Sequence, residues 1–167
     1  MENIETKRLN IKELRKGDAQ FMFRLMNSAG WLEFIGNRGI KNEEDAENYI
    51  LNNILPSYTR HGFGLYKMIL KDNREPIGIC GLLQRDYLKH PDLGFAILPE
   101  FAKKGFTLEA SNAILKHAKK NLQIQSVEAI TAEGNKASIN LLKKIGFLSQ
   151  EKITRAKEGL LLFRKHL

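Results

Sequence analysis

The stretch LPEFAKKGFTLEASNAIL, Leu98 to Leu115, ends an extended run and opens a helix within a few residues. The apolar segment HPDLGFAIL before it reads as a strand that stops near Pro99. Leu108, Ala110 or Ser111, Leu115 and Ala118 then recur at helical spacing in GFTLEASNAILKHAKKNL. A strand feeding straight into an amphipathic helix commits the chain to an α/β arrangement. The rest of the chain extends the pattern. RLNIKEL, Arg8–Leu14, alternates as a first strand, and Gly17–Asp18 starts a helix running to about Met26 with Asp18 as its cap. GWLEFIGNRG, Gly30–Gly39, reads as a loop, and NEEDAENYILNNI as a helix capped by Asn42. GFGLYKMILK and EPIGICGLLQR form two strands around the turn KDNRE. SVEAITA is a short strand, NKASINLLKKIGF a helix stopped by Gly146, and Phe147–Thr154 and Leu160–Lys165 close the chain as strands. The order β-α-α-β-β-β-α-β-α-β-β predicts an α/β sandwich with a mixed sheet, in one domain spanning residues 1–167.

The junction also carries chemistry. A helix N-terminus presents unpaired N–H groups and about half a positive charge, and phosphate is its natural guest. Gly105 lets those amides approach a ligand without a side chain in the way, and Lys103 and Lys104 add two cations at the same place. AKKGFT is neither a Walker A loop nor the three-glycine dinucleotide fingerprint, so a merely solvated basic turn stands as the alternative. Charge supports the anion reading. The net charge is +8, and it is uneven: residues 1–90 hold 14 Lys+Arg against 12 Asp+Glu, the remainder 13 against 7. A basic C-terminal half fits a phosphorylated cofactor or a nucleic acid.

Other classes are excluded. No apolar run approaches the roughly eighteen residues of a membrane span, and MENIETKRLN lacks the apolar core of a signal peptide, which predicts a cytoplasmic protein away from membranes. Cys80 has no cysteine to pair with and sits in an apolar strand, as a buried, inert thiol would. His61, His90, His117 and His166 show no metal-ligand spacing, and no metal is assigned.

DLGFAILPEFAKKGFTLEA followed by NKASINLLKKIGF resembles the GNAT superfamily of acetyl-CoA-dependent N-acetyltransferases, and in particular its RimJ/RimL-like branch. ETKRLNIKEL is similar to that branch's usual start and GFGLYKMILKDNREPIGICGL to its middle hairpin, so the likeness runs from Ile4 to about Gln150. The resemblance implies a mixed, mostly antiparallel sheet with helices on both faces and splayed fourth and fifth strands. It implies that the turn Ala102, Lys103, Lys104, Gly105, Phe106, Thr107 wraps the pyrophosphate of coenzyme A. Here Ala102 stands for the family's Gln/Arg and Thr107 for its Gly/Ala, while the central glycine matches as Gly105. The pantetheine arm would lie along Phe95, Ala96 and Ile97, held by backbone groups. Asn135 matches an asparagine that bonds near the arm, or else simply caps its helix.

Transfer of an acetyl group to an amine needs a base, because such amines are mostly protonated at neutral pH. Asp92 falls where relatives place a glutamate, and its alternative is a surface acid at a strand start. The tyrosine that many relatives use as general acid is replaced by Leu142, and Ser138 matches the serine that substitutes for it in the RimJ/RimL-like branch. The fold would bring the acceptor past Trp31, Glu33, Phe34 and Tyr66, of which Trp31 and Phe34 could instead pack the loop onto the core. The implied function is acetyl transfer from acetyl-CoA to an amine, either a protein N-terminus or a small molecule. A coenzyme A-binding domain without turnover is the first alternative, motivated by Ala102, Thr107 and Leu142. A nucleic-acid-binding module ranks last, since Phe95, Phe101, Phe106, Phe147 and Phe163 are the only aromatic residues after residue 91. The oligomeric state, a homodimer included, stays open.

Overall fold

The computed structural model describes residues 3–155 and 158–167. Among these residues eight strands form a single sheet: β1 (Ile4–Glu5), β2 (Leu9–Glu13), β3 (Leu65–Leu70), β4 (Pro76–Leu83), β5 (Asp92–Ile97), β6 (Ser126–Ala132), β7 (Leu148–Arg155) and β8 (Glu158–His166). Their order across the sheet is β1-β2-β3-β4-β5-β6-β8-β7. All pairings are antiparallel except β5–β6. Among the described residues six α-helices cover the sheet: α1 (Ala19–Met26), α2 (Ala29–Phe34), α3 (Glu43–Tyr49), α4 (Leu55–His61), α5 (Phe106–Asn121) and α6 (Lys136–Ile145). Two apolar clusters result. One lies between the sheet and α5 and α6, with Leu9, Met68, Leu93, Ile114, Leu142 and Phe163 among its buried members. The other joins α1 to α3 through Met22, Leu25, Trp31, Ala46 and Ile50. Helices therefore lie on both faces of a mixed sheet, as the resemblance implies.

The C-terminal half follows the sequence reading closely. SVEAITA is β6, and α6 starts at its Asn135 cap, which accepts from the Ser138 N–H at 3.2 Å. It stops at Gly146, whose φ of 95° is the left-handed geometry that glycine adopts without strain. The N-terminal half departs from it in four places. An eighth strand, β1, precedes the first strand read from the sequence and pairs antiparallel with β2 at the sheet edge. Residues 29–34 form α2 rather than a loop, because burial of Trp31 outweighs the helix cost of Gly30. The helix begun at Asn42 does not end near Ile54. It passes through a π turn, Ile50–Ile54, and continues as α4 to His61. Pro56 has no N–H to donate, and the wider turn absorbs that gap. Asp18 does not cap α1 with its side chain. A short 3₁₀ turn, Lys16–Asp18, precedes the helix, and the carboxylate bonds Lys67 Nζ at 2.7 Å and the Arg15 N–H.

The parallel pair positions the site. β4 and β5 are paired over six positions, from Gly78 with Ile97 to Leu83 with Asp92. β5 and β6 share only one, Asp92 with Glu128, reinforced by the Glu128 N–H to Pro91 C=O bond at 2.9 Å. Beyond that rung the two strands part.

Candidate active site

The splay leaves a gap whose β5 side is lined by main chain. In an antiparallel ladder a residue's N–H and C=O point to the same neighbour, and successive residues alternate. Leu98 N–H donates to Ile77 C=O in β4 at 2.8 Å, whereas Pro91 C=O accepts from β6. Even-numbered residues of β5 therefore serve β4, and odd-numbered ones face β6. Phe95 and Ile97 direct their backbone groups into the gap. Ala96, grouped with them by the resemblance, directs its own to β4.

At the open end of the gap lies the turn before α5. A 3₁₀ turn, Pro99–Phe101, ends β5, and Lys103 and Gly105 then take left-handed φ values of 61° and 80°. The first bond of α5 runs from the Glu109 N–H to the Gly105 C=O at 3.1 Å. The amides of Phe106, Thr107 and Leu108 precede it, and no side chain caps them. Lys103, Lys104 and Gly105 are exposed, and Ala102, Phe106 and Thr107 half-buried.

A residue outside the predicted set holds this turn. Arg8, at the entry to β2, donates from Nη1 to Lys104 C=O at 2.9 Å and from Nε to Glu109 at 2.7 Å. Its guanidinium lies 4.3 Å from the Phe106 ring centre, and its own N–H also reaches Glu109. Burial would raise the Glu109 carboxyl, but hydrogen bonds from Thr6 and Arg8 hold it below its ordinary value. The opening of the chain thus braces the anion-facing turn. Nothing local in the sequence marks this pair, which is separated by 101 positions.

The closed end of the gap holds Asp92, which is 1% exposed and not a surface acid. Arg85 Nε approaches its two oxygens at 3.0 and 3.2 Å. Burial pushes the carboxyl up to about 6, Arg85 pulls against that, and Glu128 adds to it. Glu128 is equally buried and accepts from Arg164 and from the His90 N–H. Burial would raise Glu128 too, but these donors hold it low. An acid in the otherwise apolar SVEAITA was the available signal for Glu128.

The remaining candidates are placed unevenly. Ser138 is half-buried in the first turn of α6, and no hydrogen bond among the described residues engages its hydroxyl. Asn135 serves as the cap. Leu142 is buried in the core, so no acid replaces the missing tyrosine from that position. Trp31 and Tyr66 are core residues, 4% and 1% exposed, with Tyr66 stacked on Tyr58 at 5.5 Å. Glu33 and Phe34 are exposed on α2, so the four acceptor candidates do not converge as side chains on one surface. Cys80 is buried beside Ser111 at 3.6 Å, and burial pushes its thiol up to about 12. Among the described residues no cluster of His, Cys, Asp and Glu has metal-binding geometry, and no helix is long and apolar enough to cross a membrane.

Comparison with known proteins gives this geometry a context. The family model for the acetyltransferase (GNAT) domain matches residues 8–148. The uncharacterized N-acetyltransferase YnaD of Bacillus subtilis (strain 168) is 27% identical over 145 residues, covering 86% of this chain and 81% of YnaD. A crystal structure of an acetyltransferase from Agrobacterium tumefaciens str. C58 superposes with a TM-score of 0.85 at 20% identity, covering 100% of this chain and 95% of that one. RimL, a ribosomal L7/L12 α-N-protein acetyltransferase solved with coenzyme A, superposes with a TM-score of 0.85 at 14% identity, covering 99% and 98%.

Proposed function

Because the chain belongs to the GNAT acetyltransferase family, we propose that it moves the acetyl group of acetyl-CoA directly to a primary amine, with Asp92 as the base and the β5–β6 gap as the channel for the arm. The observation that carries this is the single β5–β6 rung, which opens a main-chain-lined gap leading from the Gly105 turn to a buried carboxylate.

The residues fit the group. Free amides at the start of α5, with Lys103 and Lys104 beside them, suit a diphosphate, and Gly105 keeps the approach clear. A Cβ at Gly105 would come 3.3 Å from Arg8 Nη2, so a side chain there would crowd the brace. Phe95 and Ile97 offer outward backbone donors and acceptors to an amide-bearing arm. At about 3.3 Å per residue, Asp92 lies roughly 17 Å along β5 from Ile97. When bound, acetyl-CoA supplies an activated thioester.

The chain supplies proton handling and charge stabilisation. A carboxyl held near pH 6 is mostly ionised at neutral pH yet basic enough to accept a proton from an amine. Its burial and its Arg85 partner route that transfer through a water. The gap-side Phe95 N–H, nearer to Asp92 than that of Ile97, would polarise the thioester oxygen, and the free Ser138 hydroxyl would donate to sulfur as negative charge develops there. The acceptor class follows the RimL likeness only in outline: an amine, at a protein N-terminus or on a small molecule.

The test is thiol release from acetyl-CoA across a panel of peptide N-termini and polyamines, beside calorimetric binding of coenzyme A. Amine-dependent release that is lost in Asp92→Asn supports the reading. Tight binding without release from any amine would instead identify a coenzyme A-binding domain lacking turnover, and no binding at all would overturn both.

A further inference from the structure

The proton affinity of Asp92 is set by more than its own burial. Asp92 and Glu128 are directly opposed on adjacent parallel strands, so both side chains leave the same face of the sheet. Each is 1% exposed, and each is tied to one arginine: Asp92 to Arg85, from the segment after β4, and Glu128 to Arg164, from β8. Adjacent strands are about 4.8 Å apart, and with water excluded only the two arginines temper the repulsion between the carboxylates. Among the described residues the other groups at the pair are Tyr87, whose ring carries the Arg155 guanidinium at 3.7 Å, and His90, which also helps hold Glu128 low. Tyr87 Oη lies 3.4 Å from Arg85 Nη1, and the His90 N–H donates to Glu128 Oε2 at 3.1 Å. Glu128 accepts twice more, both at Oε1: from Arg164 Nε at 3.2 Å and from Nη2 at 2.6 Å. Buried and held by these donors, it offers the site chiefly its charge.

We propose that Glu128 is a positioning residue that acts through Asp92, its buried negative charge making Asp92 a stronger base, with Arg164 as the counter-charge that limits the effect. A like charge on the neighbouring strand disfavours ionisation of Asp92, and Arg164 weakens that influence by neutralising part of it. The arrangement lets a carboxylate paired to Arg85 keep enough basicity to take a proton. It also places the control on β6 and β8, outside the segment that carries the base. This inference rests on the reading of Asp92 as the base for its kinetic consequence only; the coupling between the two carboxylates is a property of the folded chain.

Two variants of the full chain test it with opposite signs. Glu128→Gln keeps an acceptor for Arg164 and removes the charge, and Arg164→Gln removes the counter-charge and leaves Glu128. Side-chain ¹³C NMR titration of Asp92, assigned by its loss in Asp92→Asn, should show the midpoint falling in the first and rising in the second, each by a fraction of a pH unit. Arg164→Lys retains the charge and should leave the midpoint near its original place. The acid limb of the kcat/KM profile should move with each midpoint. General loosening of the fold would shift both variants in the same direction, so equal signs, or no shift in either, would leave Glu128 as a brace for the His90 segment and overturn the proposal. Should Glu128→Gln fail to fold, the direction of the Arg164→Gln shift still decides. If the NMR midpoints move as expected while the kinetic limb stays still, the coupling stands and it is the base role of Asp92 that fails.

Discussion

Replacing Asp92 by asparagine should stabilise the protein at neutral and alkaline pH while removing its activity. Burial lifts the carboxyl from 3.8 to about 6 despite Arg85. Because the folded value lies above the unfolded one, the native state holds the proton more tightly. Ionisation then subtracts stability, and the loss accumulates as pH rises from about 4 to about 6 and is complete above that window. At about 1.4 kcal/mol per pH unit, the full effect is about 3 kcal/mol. Asparagine has the same shape and does not titrate, so the variant escapes this loss. It gives up the ion pair, but the Arg85 side chain is 34% exposed and water can solvate it. For a chain of 167 residues, at about 2–4 °C per kcal/mol, the melting temperature of Asp92→Asn relative to wild type should climb by roughly 5–10 °C between pH 4.5 and pH 8. Urea denaturation at four pH values in that range gives the difference directly, and shifts common to both proteins cancel. Parallel stability curves would show that Asp92 titrates as an ordinary carboxyl. A variant less stable than wild type at pH 8 would show that the Arg85 bond outweighs burial. Either result would remove the argument for a poised base.

Further expectations concern the turn and the gap. Gly105→Val places a β-branched residue at a φ of 80°, costing about 1–2 kcal/mol, and should weaken coenzyme A binding tenfold or more by calorimetry with the fold retained. Outright unfolding would show that the glycine serves packing alone. Arg8→Gln loses the bonds to Lys104 and Glu109 and should raise the Kd for coenzyme A several-fold, with a melting point lowered only slightly because the guanidinium is partly exposed. Gly81→Ala would drive a Cβ into the Gly64 backbone carbonyl between β4 and β3, and should destabilise by about 3 kcal/mol or prevent folding, as read by urea titration. Ser138→Ala should lower kcat roughly tenfold to a hundredfold at unchanged coenzyme A affinity; an unchanged kcat would exclude a hydrogen bond to sulfur.

What the sequence discloses and what it withholds divide along the range of the interactions. The Gly105 turn, the Asn135 cap, the Gly146 stop and β6 are legible because local chemistry decides them: a positive φ, a side-chain acceptor, an apolar run between polar flanks. Helix α2 is illegible because the burial of Trp31 among α1 and α3 is a tertiary fact that overrides a glycine in its first turn. The passage of α3 into α4 is hidden by Pro56, which ordinarily ends a helix. Asp92 is legible as a candidate but not as a buried group, since its environment comes from Arg85 on one strand's exit and Glu128 on another strand. Tyr66 shows the reverse failure: an aromatic phenol suits an acceptor wall, yet its strand register turns it into the core against Tyr58.

The single rung between β5 and β6 has one more consequence. Past Asp92, β5 is an edge strand in the interior of a sheet, with Phe95 and Ile97 presenting the unpaired main chain that elsewhere recruits stray peptides. An extended amide-bearing arm occupying that slot would behave as a ninth strand made of non-protein material.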